Sequence, residues 1–424
     1  MAKNSEPTSN DAAATPRCPR RAQRKARLAD RPPGPRVTFA DLHREPFRLF
    51  FPAAVLAGIV GVLLWPLMLS GWMTDYPGPR HARLMIQGFF GGFIFGFLGT
   101  SLPRLLETRP LNAVEVFPLL ALFLANLTAH TLGATTLGDG LFVVEIGLLA
   151  TFLGGRLRER RDLPPPSFVL VVMSFACALA GIAIQSVGLR MELAPGWELL
   201  GRLWGYHAFI LLCILGAGGF LLPRFLGIEA RRKFATSPVS TPEWRRAAAL
   251  AALAGSIIVV SFPMEAAGWG RWAGSIRALT IIAYFWNEMA LERLRWTWHG
   301  VQWFLIVGLG CIPLGVLASG FLPGWRVGLS HIELIGGFGL IAFGVGTRVV
   351  FGHSGERSRL EQFHPGLTIA GILMLLGLLT RINGDVIPST QLSHYLYAAI
   401  CWVGGLILWA VCVLPKVLRA DPES

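Results

Sequence analysis

Runs of about twenty apolar residues, separated by short polar or proline-containing breaks, fill the chain from residue 49 to residue 414. A run of that length crosses a ~30 Å hydrocarbon core as a helix. The runs do not alternate apolar and polar with period two, so the pattern is that of helices and not of barrel strands. Twelve are predicted, with cores at 49–70, 84–103, 113–131, 138–154, 167–188, 204–223, 247–264, 271–290, 299–320, 330–350, 367–381 and 394–414. The seventh, eighth and eleventh are short or interrupted by charge. The pattern gives an all-α, polytopic membrane bundle.

Charge placement then orients the bundle. With the N-terminus inside, 30 of the 38 Lys and Arg fall on inner segments. The other eight are Arg80, Arg83, Arg190, Arg202, Arg271, Arg277, Arg326 and Arg381. Basic residues concentrate on the cytoplasmic side of membrane proteins, so both termini are expected in the cytoplasm. Shifting the register by one helix would reverse every later loop. The formal net charge of +13 therefore reports topology and contact with anionic lipid, and nucleic acid is not expected as a partner. Residues 1–45 are basic, proline-rich and poor in large apolar side chains, which predicts a disordered cytoplasmic tail. The transmembrane domain follows over 46–416, and 417–424 form a short cytoplasmic tail. The six cysteines include no CxxC pair, so neither a disulfide framework nor a structural zinc site is expected.

The chain also repeats itself. QGFFGGFIFGFLGTSLPRLL (87–106) aligns without a gap on HAFILLCILGAGGFLLPRFL (207–226). Phe89 meets Phe209, Gly96 meets Gly216, Gly99 meets Gly219, and Leu102-Pro103-Arg104 meets Leu222-Pro223-Arg224. His331 to Arg348 keeps the 17-residue spacing of His207 to Arg224. Helices two, six and ten are thereby equivalent, in three units of four helices about a pseudo-threefold axis. Membrane folds built from repeats place binding sites where the repeats meet.

All three of these helices run from outside to inside, and their first imidazoles, His81, His207 and His331, lie at or near the outer end. His130 and His394 share that level, as do Glu145, Glu265, Arg277 and Glu333. Ionisable groups in a bilayer are costly and face a cavity, a partner or a pathway. A lone interfacial histidine is ordinarily just a polar group at a water boundary. His207 and His331, matched within the repeat, and His81 near the same level suggest ligands, because neutral imidazole suits haem iron and copper and a neighbouring carboxylate can orient it. Gln87, not His81, stands opposite His207 in the strict repeat. Arg104, Arg224 and Arg348 read as topological anchors within reach of any inner carboxylate, and His353 and His364 as part of a polar inner loop. There is no P-loop, HExxH or CxxCH.

Three stretches resemble the NnrS family. EPFRLFF (45–51) is similar to the family's opening, HARLMIQGFFGG (81–92) to its second-helix signature, and HIELIGGFGLIAFGVGTRVVFGHSG (331–355) to its most specific segment. The resemblance covers roughly 45–415. It implies a twelve-helix inner-membrane protein that binds haem, and copper as well, in the response to nitric oxide and nitrosative stress. Carried over by position, it marks His81, His331, Arg348, His353 and Arg48. One departure stands out: the family's His-Ala-His-Glu-Met is here His81-Ala82-Arg83-Leu84-Met85, which weakens the copper expectation.

Two functional classes remain at this point. In the first, His207 and His331, with His81 as third or alternative ligand, hold a metal whose open position binds a diatomic gas such as nitric oxide. In the second, a secondary transporter, Glu145, Arg277 and the histidines form a substrate or proton pathway.

Overall fold

The computed structural model describes residues 35–232, 234–294 and 300–420. Of the tail expected to be disordered, 1–45, residues 1–34 lie outside these, as do Cys18 and His299. The described residues form helices throughout, joined by short turns. They are α1 (Phe47–Leu69), α2 (Gly78–Leu105), α3 (Ala113–Thr131), α4 (Thr135–Arg158), α5 (Val169–Gly188), α6 (Pro195–Phe225), α7 (Pro242–Ala266), α8 (Gly270–Met289), α9 (Gln302–Phe321), α10 (Pro323–His353), α11 (Pro365–Val386) and α12 (Gln391–Val413). Eleven are long and apolar enough to cross a membrane. The twelfth, α8, has the length, but Arg271, Arg277, Asn287 and Glu288 lower its hydropathy.

Local chemistry explains where helices start. Asn112 and Glu115 form a reciprocal capping box on α3, and the Thr241 hydroxyl caps α7 ahead of Pro242. His364 caps α11, its Nδ1 accepting from the Leu367 amide at 3.4 Å. Before α1, residues Phe39–Arg44 make a 3-10 turn, and Arg36 bridges to Arg419 near the other end of the chain.

Packing follows the four-helix period. The first two helices of each unit touch (α1–α2, α5–α6, α9–α10), as do the last two (α3–α4, α7–α8, α11–α12). Contacts α4–α5, α8–α9 and α12–α1 then join unit to unit. The helices α2, α10 and α6 are the most enclosed spans, with 78%, 72% and 67% of their apolar windows buried, against 33–61% for the rest. The repeated helices are therefore the interior of the bundle. The repeated glycines do the same job in two units. A Cβ on Gly96 would lie 3.0 Å from Phe47 Cα of α1, and one on Gly216 would lie 3.0 Å from the Val171 nitrogen of α5. Glycine there lets the second helix rest on the backbone of the first.

The interior helices share a further feature. Each changes to π-helical turns near its first histidine: Leu84–Phe90 in α2, Leu203–Ala208 in α6 and Ile332–Gly339 in α10. π turns cost hydrogen-bond geometry and recur at functional sites. A glycine of the preceding helix meets each one. A Cβ on Gly61 would lie 3.0 Å from Leu84 Cβ, one on Gly181 2.2 Å from the Gly205 nitrogen, and one on Gly315 2.5 Å from the Glu333 nitrogen. Backbone cannot yield as a side chain does. Gly181→Ala should therefore destabilise the fold by about 1–3 kcal/mol, the usual cost of overpacking. Thermal unfolding of the detergent-solubilised variant reads this, and an unchanged midpoint would mean the two helices part freely.

Candidate functional site

The N-terminal halves of α2, α6 and α10 open onto one cavity of about 1270 Å³. That is above the ~300–1,000 Å³ typical of drug-sized ligands. His81, His207 and His331 all line it, with Glu333, Tyr395 and Trp402. Three residues 250 positions apart at the extremes thus meet at one end of the bundle, because their helices are equivalent in depth.

Each imidazole is fixed in the same way. His81 Nδ1 lies 2.9 Å from the Gly61 carbonyl, His207 Nδ1 2.8 Å from Glu333 Oε2, and His331 Nδ1 2.7 Å from the Val327 carbonyl. All three partners are acceptors at a carbonyl or carboxylate, so Nδ1 carries the proton and donates. The other nitrogen, Nε2, keeps its lone pair and has no protein partner among the described residues. A lone pair held by a fixed tautomer is what a metal ligand requires. Glu333 is itself only 4% exposed, and its Oε1 is buried without a partner. Among the described residues, no three His, Cys, Asp or Glu side chains gather closely enough to hold one bare ion.

Around this cavity the buried charges are paired. Arg83 makes a forked contact with Asp139, at 2.9 and 3.1 Å from Nε and 2.9 Å from Nη2. Gln87 donates to the same carboxylate at 2.7 Å and accepts from Asn126 at 3.0 Å and from His130 Nε2 at 2.8 Å. His130 and Gln87 thus belong to a buried polar network of α2, α3 and α4, and His130 is fully buried. Arg277 pairs with Glu265 at 2.8 Å, donates to Ser261 at 2.8 Å and lies 3.7 Å from the Phe262 ring centre. Arg381 pairs with Asp385 at 2.7 Å, and the Tyr395 hydroxyl donates to Asp385 at 2.5 Å. His394 opens α12 but does not line the cavity; its ring meets Tyr397. Glu145 is fully buried in α4 with neither oxygen partnered.

The other candidates sit at the far end of the bundle. His331 and Arg348 are 17 residues apart, about 26 Å along a helix at 1.5 Å per residue, so no single ion contacts both. There Glu45 accepts from His353 Nδ1 at 2.8 Å and pairs with Arg48 and Arg104. Arg104 Nη1 donates to His353 Nε2 at 3.1 Å. Arg48 also donates to the carbonyls of His353 at 3.2 Å and Arg419 at 2.8 Å. This clasp ties the starts of α1, the ends of α2 and α10, and the C-terminal segment. Arg104 thus meets the inner carboxylate the sequence allowed for. Arg348 lies 5.1 Å from the ring centre of Phe225, linking α10 to α6.

Burial raises the Glu45 carboxyl, but the hydrogen bond from His353 and the charges of Arg48 and Arg104 outweigh it and hold its pKa at about 2. The folded value lies below the ordinary 4.5. Ionised Glu45 therefore contributes its full stability above pH 4.5, and that contribution is lost as pH falls through about 2. Glu45→Gln should flatten the stability–pH curve over that window, read by thermal unfolding. An equally steep curve in the variant would remove the clasp from acid stability.

Some of this escaped the sequence. The Arg83–Asp139 pair had a signal, since a lone aspartate in an apolar run implies a cationic partner. So did Arg381 and Asp385, four residues apart on one helix. The π turns leave no mark that composition or periodicity reveals. Among curated proteins, nothing matches the chain. The family model described as NnrS protein matches residues 41–420, nearly the whole length. With its polytopic helical fold and its histidine-lined interior, the chain belongs to the NnrS family.

Proposed function

We propose that this protein is a haem protein of the bacterial inner membrane, acting in the response to nitric oxide, with both termini in the cytoplasm. The observation that carries it is the shared arrangement of His81, His207 and His331: all three line one large cavity, with Nδ1 tied to an oxygen and Nε2 without a partner among the described residues. These residues fit an iron macrocycle, which His207 and His331 would hold through imidazole nitrogen. They fit a bare copper ion less well, because no three donors gather and Arg83 occupies the position of the family's second histidine. Bound haem would supply an iron with an open position for a diatomic gas.

The chain's own residues have definite parts in this reading. His207 and His331 are the ligands, and His81 is the third or alternative one. Glu333 orients His207 through Nδ1. The three four-helix units are related by a pseudo-threefold rotation about the membrane normal, with the cavity at their meeting. An experimental structure checks this: α2 should superpose on α6 by about one-third of a turn.

Purified protein from haem-replete cells should show a Soret band that shifts when nitric oxide is added. A colourless preparation without iron would end the haem reading. The transporter reading has one point in its favour, the unpartnered Glu145, but the interior helices run unbroken through their π turns instead of unwinding around a substrate.

A further inference from the structure

Five guanidiniums line the cavity, and they fall into two groups. Arg83, Arg277 and Arg381 each have a carboxylate at close range, Asp139 at 2.9 Å, Glu265 at 2.8 Å and Asp385 at 2.7 Å. Arg202 and Arg326 do not. Arg202 has only Glu198, at 3.9 Å. Arg326 reaches Glu265 at 3.4 Å, a carboxylate already engaged by Arg277. The Arg326 Nε is buried and has no hydrogen-bond partner among the described residues.

These two arginines are also placed alike. Arg202 stands five residues before His207 in RLWGYH, and Arg326 stands five residues before His331 in RVGLSH. Both pairs face the same cavity, on the two interior helices whose histidines match in the repeat. Five residues is about 7.5 Å of helix, so each guanidinium stands toward the outer mouth from its imidazole, one side-chain length away. A planar fork with free N–H groups is complementary to a carboxylate, which it binds with two charge-assisted hydrogen bonds. Arg326, 22% exposed at the side chain and sharing one carboxylate, gains from an arriving carboxylate, and Arg202, 55% exposed, offers its fork at the open mouth.

We propose that Arg202 and Arg326 form a paired anion site at the mouth of the cavity, which takes the two carboxylates of an amphipathic ligand. On the haem reading, which supplies the ligand's identity, these are the propionates. The ring then lies among the imidazoles and the acid edge faces the mouth. Arg83, Arg277 and Arg381, already neutralised, take no part.

The test separates the anion site from metal ligation. Detergent-purified, haem-free full-length protein is titrated with iron-free protoporphyrin and with its dimethyl ester, read by porphyrin fluorescence. Neither forms an iron–imidazole bond, and the two differ only in their carboxylates. Wild type should bind the free acid at least tenfold more tightly. Arg202→Gln with Arg326→Gln should bring that ratio near one, and Arg202→Lys with Arg326→Lys should keep a good part of it. Equal binding of acid and ester by wild type would overturn the proposal without any variant having to fold. So would a preference that survives in the glutamine variant. A ratio that follows the anionic-lipid content of nanodiscs would assign the pair to lipid phosphate and overturn it too. A parallel titration with haem tests the underlying reading separately. Porphyrin preference without a histidine-ligated Soret band would keep the anion site and discard the haem ligands.

Discussion

On the haem reading proposed above, protein carrying His207→Ala should retain little haem. The substitution removes one imidazole and strands Glu333, whose Oε2 accepts from His207 at 2.8 Å while its Oε1 already lacks a partner. Glu333→Gln is the milder change. It keeps the ligand but weakens the hydrogen bond that fixes its tautomer, and such outer partners are worth about 10–100-fold in metal affinity. His331→Ala should also deplete haem, since its Nε2 opens on the same cavity. Arg348→Ala should leave the spectrum of the purified protein unchanged and lower the yield of folded protein, because that side chain packs on Phe225 at the opposite end. Pyridine haemochrome content per mole of protein distinguishes these outcomes. Full haem content with an unchanged spectrum in both histidine variants would return those imidazoles to polar groups resting at the water boundary.

Asp139→Ala should have the largest effect on stability. Its carboxylate and the Arg83 guanidinium are 2% and 6% exposed at the side chain, so the variant leaves a buried, uncompensated cation. Breaking such a pair costs about 3–5 kcal/mol, a large share of the ~5–15 kcal/mol that holds a typical fold together. Gln87 also loses its acceptor, which loosens the network through Asn126 and His130. The double variant Arg83→Leu, Asp139→Leu removes both charges and should recover much of the loss, since a buried pair seldom outperforms well-packed apolar groups of similar size. Thermal unfolding in detergent, followed by size-exclusion profile, checks both. Equal destabilisation by single and double variants would mean that packing, not charge, is the cause.

The Arg83–Asp139 pair also gives the family departure a physical sense. A histidine at position 83 would add an imidazole beside His81. Arginine instead brings a fixed cation that the aspartate of α4 neutralises, so the wall there is closed by an ion pair.

Several features follow from the sequence by itself. Twelve apolar runs became twelve helices, because a backbone in lipid must satisfy its own hydrogen bonds and a twenty-residue helix is the simplest way to do so. Boundaries agree within a few residues for most helices. The interior three run further, with α2 starting at Gly78, α6 at Pro195 and α10 at Pro323, because polar first turns that carry Arg80, Arg202 and Arg326 extend each helix ahead of its apolar run. The repeat marked α2, α6 and α10 as the interior, since close approach of backbones demands glycine at repeated positions, and glycine can be read. The family was legible from three short signatures.

Tertiary structure decided what those residues do. Sequence set Gln87 opposite His207, yet only the fold shows that Gln87 serves His130 and Asp139 while His81 lines the cavity instead. Sequence set His353 in a polar loop, and the fold brings it to Glu45, 308 residues away, with Arg48 and Arg104. The tautomers of the three imidazoles depend on which oxygen lies near each Nδ1: a carbonyl of another helix, a carboxylate of another unit, a carbonyl one turn back. No periodicity encodes that choice. Helical spacing fixes which side chains share a face, whereas hydrogen-bond partners are set by distances between helices that the chain order leaves open.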